Sequence, residues 1–117
     1  MAALYQGSCH CGRIAFQVEG DLAQVIECNC SHCSRKGYLL WFVPRAQLRL
    51  NTSPTELATY TFNKHVIQHH FCRHCGCAPF GFGQDPSAQA MAAVNVRCLE
   101  GVELTTLKRI PFDGRSL

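Results

Sequence analysis

The sequence has no run of about 20 apolar residues of the length a membrane-spanning helix requires, and no charge tract longer than Arg35-Lys36 or Lys108-Arg109. The first absence excludes a helical membrane span. The second argues against a nucleic-acid partner, whose recognition calls for a basic stripe with interleaved aromatic residues. The opening MAALYQGSCHCG lacks a basic segment followed by an apolar stretch of about 7–15 residues, so no secretory leader is expected and the chain reads as cytoplasmic. Fixed-period repeats, low-complexity linkers and sustained helical periodicity are also missing.

Only 16% of residues are charged against 47% apolar, and the formal net charge is +3. That balance belongs to a compact globular chain. A length of 117 residues fits one domain, expected to span 1–117, with a core modest enough to need disulfide or metal staples.

Short strand-length segments are plentiful. RIAFQVEG, AQVIEC, YLLWFVP, QLRLN, ELATYTF, VIQHHFC, APFGFG and AMAAVNVRCL are separated by turn-like Gly20-Asp21, Asn51-Thr52-Ser53-Pro54, Asn63-Lys64 and Gly83-Gln84-Asp85-Pro86. The expected fold is mainly β, several small coiled sheets with little helix. Single helical turns are expected at Ser34–Gly37 and Pro86–Ala90.

Nine cysteines stand out: Cys9, Cys11, Cys28, Cys30, Cys33, Cys72, Cys75, Cys77 and Cys98. Without an export signal a reducing compartment keeps them as thiols, and C-x-C and C-x-x-C spacings then read as metal ligands. Cys9-His10-Cys11-Gly12 and Cys72-Arg73-His74-Cys75-Gly76 both end in Cys-Gly, where glycine lets the backbone turn behind the second sulfur. Two such halves would close one tetrahedral four-thiolate zinc site, with the first C-x-C pair sharing a face of an extended segment.

The run Cys28-Asn29-Cys30-Ser31-His32-Cys33 offers three thiols without a matching partner half-site. Three protein ligands and a vacancy is the pattern of catalytic zinc, yet a closed site completed by His32, His69, His70 or Cys77 is also open to this sequence. On a strand, His69 and His70 must face opposite ways. Cys77 and Cys98 read as buried free thiols.

The order Cys-x-Cys-Gly, Cys-x-Cys-x-x-Cys-Ser-Arg-Lys, Phe-Cys-x-x-Cys-Gly and Val-Asn-Val-Arg-Cys-Leu, from Gly7 to about Glu100, resembles the glutathione-dependent formaldehyde-activating enzyme family, carbon–sulfur lyases. The resemblance implies two zinc ions per chain: a structural one on Cys9, Cys11, Cys72 and Cys75, and a catalytic one on Cys28, Cys30 and Cys33. It implies a small-molecule reaction in which glutathione, or another thiol, adds to an aldehyde to give an adduct such as S-(hydroxymethyl)glutathione. A tripeptide with two carboxylates calls for cations, and Arg35 and Lys36, next to the three-cysteine run, are the candidate substrate-binding residues ahead of Lys64, Arg73 and Arg97. Two other readings compete: a zinc-stabilised binding module without turnover, and a thiol redox protein using the middle cysteines directly.

Overall fold

The structure, a computed structural model, describes residues 3–116. It is mainly β. A three-stranded antiparallel sheet has the order β1-β2-β5, with β1 Ala3–Ser8, β2 Ala15–Gly20 and β5 Leu48–Leu50. A seven-stranded sheet has the order β10-β3-β4-β9-β8-β7-β6, built from β3 Gln24–Cys28, β4 Leu40–Pro44, β6 Leu57–Tyr60, β7 Gln68–Cys72, β8 Phe80–Gln84, β9 Ala90–Asn95 and β10 Lys108–Phe112. All of its pairings are antiparallel except β10 with β3.

Alternation decides which side of each strand is buried. In β2, Phe16 and Val18 face inward while Glu19 faces solvent, the period-2 pattern of a sheet with one covered face. Leu48 of β5 sits opposite Val18. From the large sheet, Trp41 lies opposite Val94, and Phe80 is Val94's partner on the other side. The two inner faces meet in one core of Ile14, Phe16, Val18, Leu48, Trp41, Val43, Phe80, Ala92, Val94 and Val96. Edge-to-face rings lock it: Phe16 on Phe80 at 5.2 Å and Tyr5 on Trp41 at 5.6 Å.

The large sheet is weakly joined at one place, where a single Cα pair, Ile26↔Leu40, links β3 to β4. Between those strands the chain leaves to form α1, Ser31–Lys36, the one α-helix among the described residues. Its start lies three residues ahead of the turn expected at Ser34, because the Cys30 side chain caps it by accepting from the Cys33 N–H. Gly37, at φ 70°, ends it. The helical turn expected at Pro86–Ala90 is a tight turn instead. There the Asp85 carboxylate accepts from the N–H groups of Ser87 and Gln89, and this local bonding outcompetes a helix. No helix among the described residues is long and apolar enough to cross a membrane.

Candidate metal centres and the adjoining pocket

Cys9, Cys11, Cys72 and Cys75 converge with their sulfurs within 4.8 Å of one another. Two similar turns make this possible. In the first, Cys9 N–H bonds to the Ile14 carbonyl and Gly12 N–H to that of Cys9; in the second, Cys72 N–H bonds to Cys77 and Gly76 N–H to Cys72. The glycines carry φ values of 84° and 81°, left-handed backbone that a side chain resists. The C-x-C pair therefore sits in a turn, not on an extended segment as the spacing suggested: β1 ends at Ser8.

Sulfur-directed amides complete each knuckle. Ile14 N–H points at Cys9 Sγ at 3.3 Å, and His74 and Cys75 N–H groups point at Cys72 Sγ at 3.3 and 3.4 Å. The Cys77 N–H holds Cys75 far below an ordinary thiol, at about 5, while burial pushes Cys9 up to about 11. A tetrahedron with Zn–S bonds of about 2.3 Å has edges of about 3.8 Å. The sulfur separations of 3.7 Å for Cys9–Cys11 and 3.6 Å for Cys11–Cys72 fit that figure.

The second cluster is Cys28, Cys30 and Cys33, again within 4.8 Å. Cys28 ends β3, Cys30 caps α1, and Cys33 is buried in its first turn. Cys30 N–H donates to Cys28 Sγ at 3.5 Å and Cys33 N–H to Cys30 Sγ at 3.3 Å. Among the described residues no histidine, cysteine or carboxylate joins the three within that distance. His32, His69, His70 and Cys77, the residues that could have closed the site, do not.

Burial acts on all three thiols of this set. Burial raises Cys33 and Cys28 above the ordinary thiol range. Burial opposes ionisation of Cys30 too, but the Cys33 N–H and the neighbouring thiols leave it below that range. Three clustered sulfurs, two of them reluctant to ionise, become thiolates together when a divalent metal supplies the missing charge.

Against α1, the helix that carries Cys33, lies a cavity of about 500 Å³ lined by His32, Arg35, Lys36, Tyr38, Tyr60 and His69, with His70, Phe71 and Ala78; none of the clustered cysteines lines it. Arg35 and Lys36, singled out from the sequence, both reach it. Lys64, Arg73 and Arg97 do not line it: Arg73 bonds the Leu57 carbonyl and Arg97 that of Gly37. His69 and His70 diverge as alternation requires. His69 lies tilted against His32 with ring centroids 4.2 Å apart and stacks on Phe62, and His70, 8% exposed, packs on Phe82 and bonds Thr59 through Nδ1 at 2.9 Å.

Tyr38, Tyr60, Phe62 and the His32–His69 ring pair were not legible as one cluster. They come from three separate segments, and no local spacing joins them. Burial lowers His32 and His69, the latter to about 4, so both rings are neutral at pH 7. Burial and the nearby Cys33 push Tyr38 up to about 12, which keeps its hydroxyl protonated. Cys77 and Cys98, expected to be buried, are each partly buried, with Asn95 Nδ2 3.8 Å from Cys98 Sγ.

The fold is shared with a solved structure, the crystal structure of a Rhodobacter sphaeroides protein from a structural-genomics programme. It is 32% identical and aligns over 90% of this chain and 99% of its own, with a TM-score of 0.77. The sequence matches the glutathione-dependent formaldehyde-activating enzyme family over residues 4–109, a span that holds both cysteine clusters. The chain belongs to that family.

Proposed function

We propose that the protein is a zinc-dependent carbon–sulfur lyase that forms and cleaves the adduct of an aldehyde with glutathione, S-(hydroxymethyl)glutathione being the family's namesake product. One observation carries this: a four-sulfur cluster and a three-sulfur cluster stand in the same chain, and α1, the helix that holds Cys33 of the three-sulfur cluster, also supplies His32, Arg35 and Lys36 to the wall of a cavity. The first set suits a closed structural zinc and the second a zinc with a position free. Bound at Cys28, Cys30 and Cys33, zinc would supply a Lewis acid and lower the pKa of an incoming thiol.

The chain's own residues supply the rest. The glutathione sulfur, its proton given to solvent, bonds to the aldehyde carbon; the C=O π pair moves to oxygen, and that oxygen takes a proton. Tyr38, whose hydroxyl stays protonated, lines the cavity and is suited to donate toward the oxygen. Arg35 and Lys36 at the wall are suited to the two carboxylates of the tripeptide. His32, Tyr60 and His69 line the cavity with their rings, and the neutral imidazoles add no competing charge. Running the sequence backward breaks the C–S bond.

The test is to follow the condensation of formaldehyde with glutathione by NMR line exchange. The zinc-loaded wild type accelerates it above the uncatalysed rate, and Cys30→Ser returns it to that rate with the four-cysteine zinc still bound. A zinc-loaded wild type that does not exceed the uncatalysed rate overturns the proposal.

A further inference from the structure

The segment after residue 109, beyond the span matched to the family, lies against the three-cysteine cluster. β10 runs parallel to β3 in a register that sets Phe112 beside Cys28. Past Phe112 the chain turns across the site through Asp113 and the 3-10 turn Gly114–Ser116. At Gly114 the backbone comes so close that a β-carbon would stand 2.4 Å from Cys28 Sγ and 3.2 Å from Cys30 Cβ. No side chain fits there without moving the sulfur or lifting the segment.

Asn29, the residue between the first two ligands, holds this segment by three bonds. Its N–H donates to the Phe112 carbonyl at 3.1 Å, its Nδ2 donates to Asp113 Oδ1 at 2.9 Å, and its Oδ1 accepts from the Arg115 N–H at 2.8 Å. Asp113 is fixed from the other side by the Ser116 hydroxyl at 2.6 Å. Nothing in the chemistry of thiol ligation calls for these contacts. They tie the C-terminal residues to the two ligands that α1 does not bury.

We infer that residues 112–116 form a strap belonging to the three-cysteine centre, with Asn29 as its clamp and Gly114 as the close-contact point that sets the position of Cys28. The inference rests on the reading of Cys28, Cys30 and Cys33 as a metal site. A site with three protein ligands lacks the fourth bond that would retain its ion, and chelating solutes attack through whatever side is open. The strap covers the Cys28–Cys30 side. It leaves the side of α1 and Tyr38, whose His32, Arg35, Lys36 and Tyr38 side chains line the cavity, as the approach for substrate. Asn29 and Gly114 are positioning residues: they act through Cys28 and do not touch substrate.

The test is the rate at which each zinc leaves the metal-loaded protein for a chromophoric chelator, with the visible spectrum of the cobalt form as a second readout. Asn29→Asp sets a carboxylate against Asp113 and loses the Nδ2 donor. It should speed release from the three-cysteine site about tenfold, the equivalent of about 1.4 kcal/mol, and leave release from the four-cysteine site unchanged. Adding Asp113→Asn restores a donor and an acceptor across the same gap and should bring the rate back to the wild-type value. Gly114→Ala should shift the cobalt thiolate bands of the middle site alone.

Asn29→Asp release at the wild-type rate overturns the strap, as does an unrescued double variant, which would trace the effect to the charge at 29. Cobalt bands unmoved by Gly114→Ala overturn the contact at Cys28. A wild type that binds one zinc overturns the metal reading itself, a distinct result, and the strap with it.

Discussion

The Sγ atoms of Cys11 and Cys72 stand 3.6 Å apart although 61 residues separate them. Cys11 follows β1 in the small sheet and Cys72 ends β7 in the large one, so a metal on these sulfurs ties the two sheets together where their strands share no hydrogen-bonded pairing. The free energy of a structural zinc, about 10–16 kcal/mol in zinc-finger peptides, is of the same size as the about 5–15 kcal/mol by which a domain is stable.

Cys72→Ser is therefore expected to abolish cooperative folding, whereas Cys30→Ser leaves a folded chain that has lost one metal. Thermal unfolding with metal analysis checks both. A Cys72→Ser protein that unfolds at the wild-type temperature would show that the first cluster is not the staple.

In the core, Phe16 is fully buried with its ring 5.2 Å from that of Phe80. Phe16→Ala should cost about 3–5 kcal/mol in denaturant unfolding, the usual loss for emptying a large aromatic site. Gly7 contacts the same ring so closely that its Cβ would stand 2.4 Å from Phe16 Cζ. Gly7→Ala should thus cost about 1–3 kcal/mol by overpacking, and less in a Phe16→Leu background.

Acid stability follows from His69. Its ordinary value of 6.5 falls to about 4 through burial, with the charges of His32, His70 and Lys36 adding to it. Between those values the unfolded chain takes up a proton that the folded chain refuses. The sign is then fixed: this contribution is complete above pH 6.5 and is lost as pH falls toward 4. Denaturation midpoints measured across that window should fall less steeply for His69→Phe, which keeps a stacking ring and removes the titration.

The cations of the cavity give a kinetic prediction. Arg35→Gln with Lys36→Gln should raise KM for the glutathione adduct about tenfold, about 1.4 kcal/mol. It should leave kcat nearly unchanged, because the carboxylates they hold are remote from the bond that breaks. Tyr38→Phe should lower kcat instead, by about 10²-fold if the hydroxyl is the proton donor. Steady-state kinetics separates the two patterns.

Much of this was legible in the sequence where the signal was local. The Cys-Gly knuckles announced their turns because glycine behind the second sulfur has one structural reading, and Gly12 and Gly76 adopt it. Eight strands were visible as alternating or apolar runs of strand length, and His69 and His70 faced apart as the strand period demands. β1 and β10 were less visible: ALYQGS is only weakly alternating, and KRIPF carries a proline that speaks against a central strand. At the sheet edge, where β10 lies, that proline is tolerated. The aromatic wall and the Asn29–Asp113 clamp were invisible because each joins segments distant in sequence, and the chain alone carries no register between β3 and β10.

The most direct test of the account is zinc content per chain, together with titration of reduced glutathione into the cobalt-substituted protein while the thiolate-to-metal absorption is followed. Two metals are expected, with glutathione perturbing the bands of one and Cys30→Ser removing that one. Two metals both blind to glutathione, or a single metal held by the four-cysteine set, would contradict an open catalytic site at Cys28, Cys30 and Cys33.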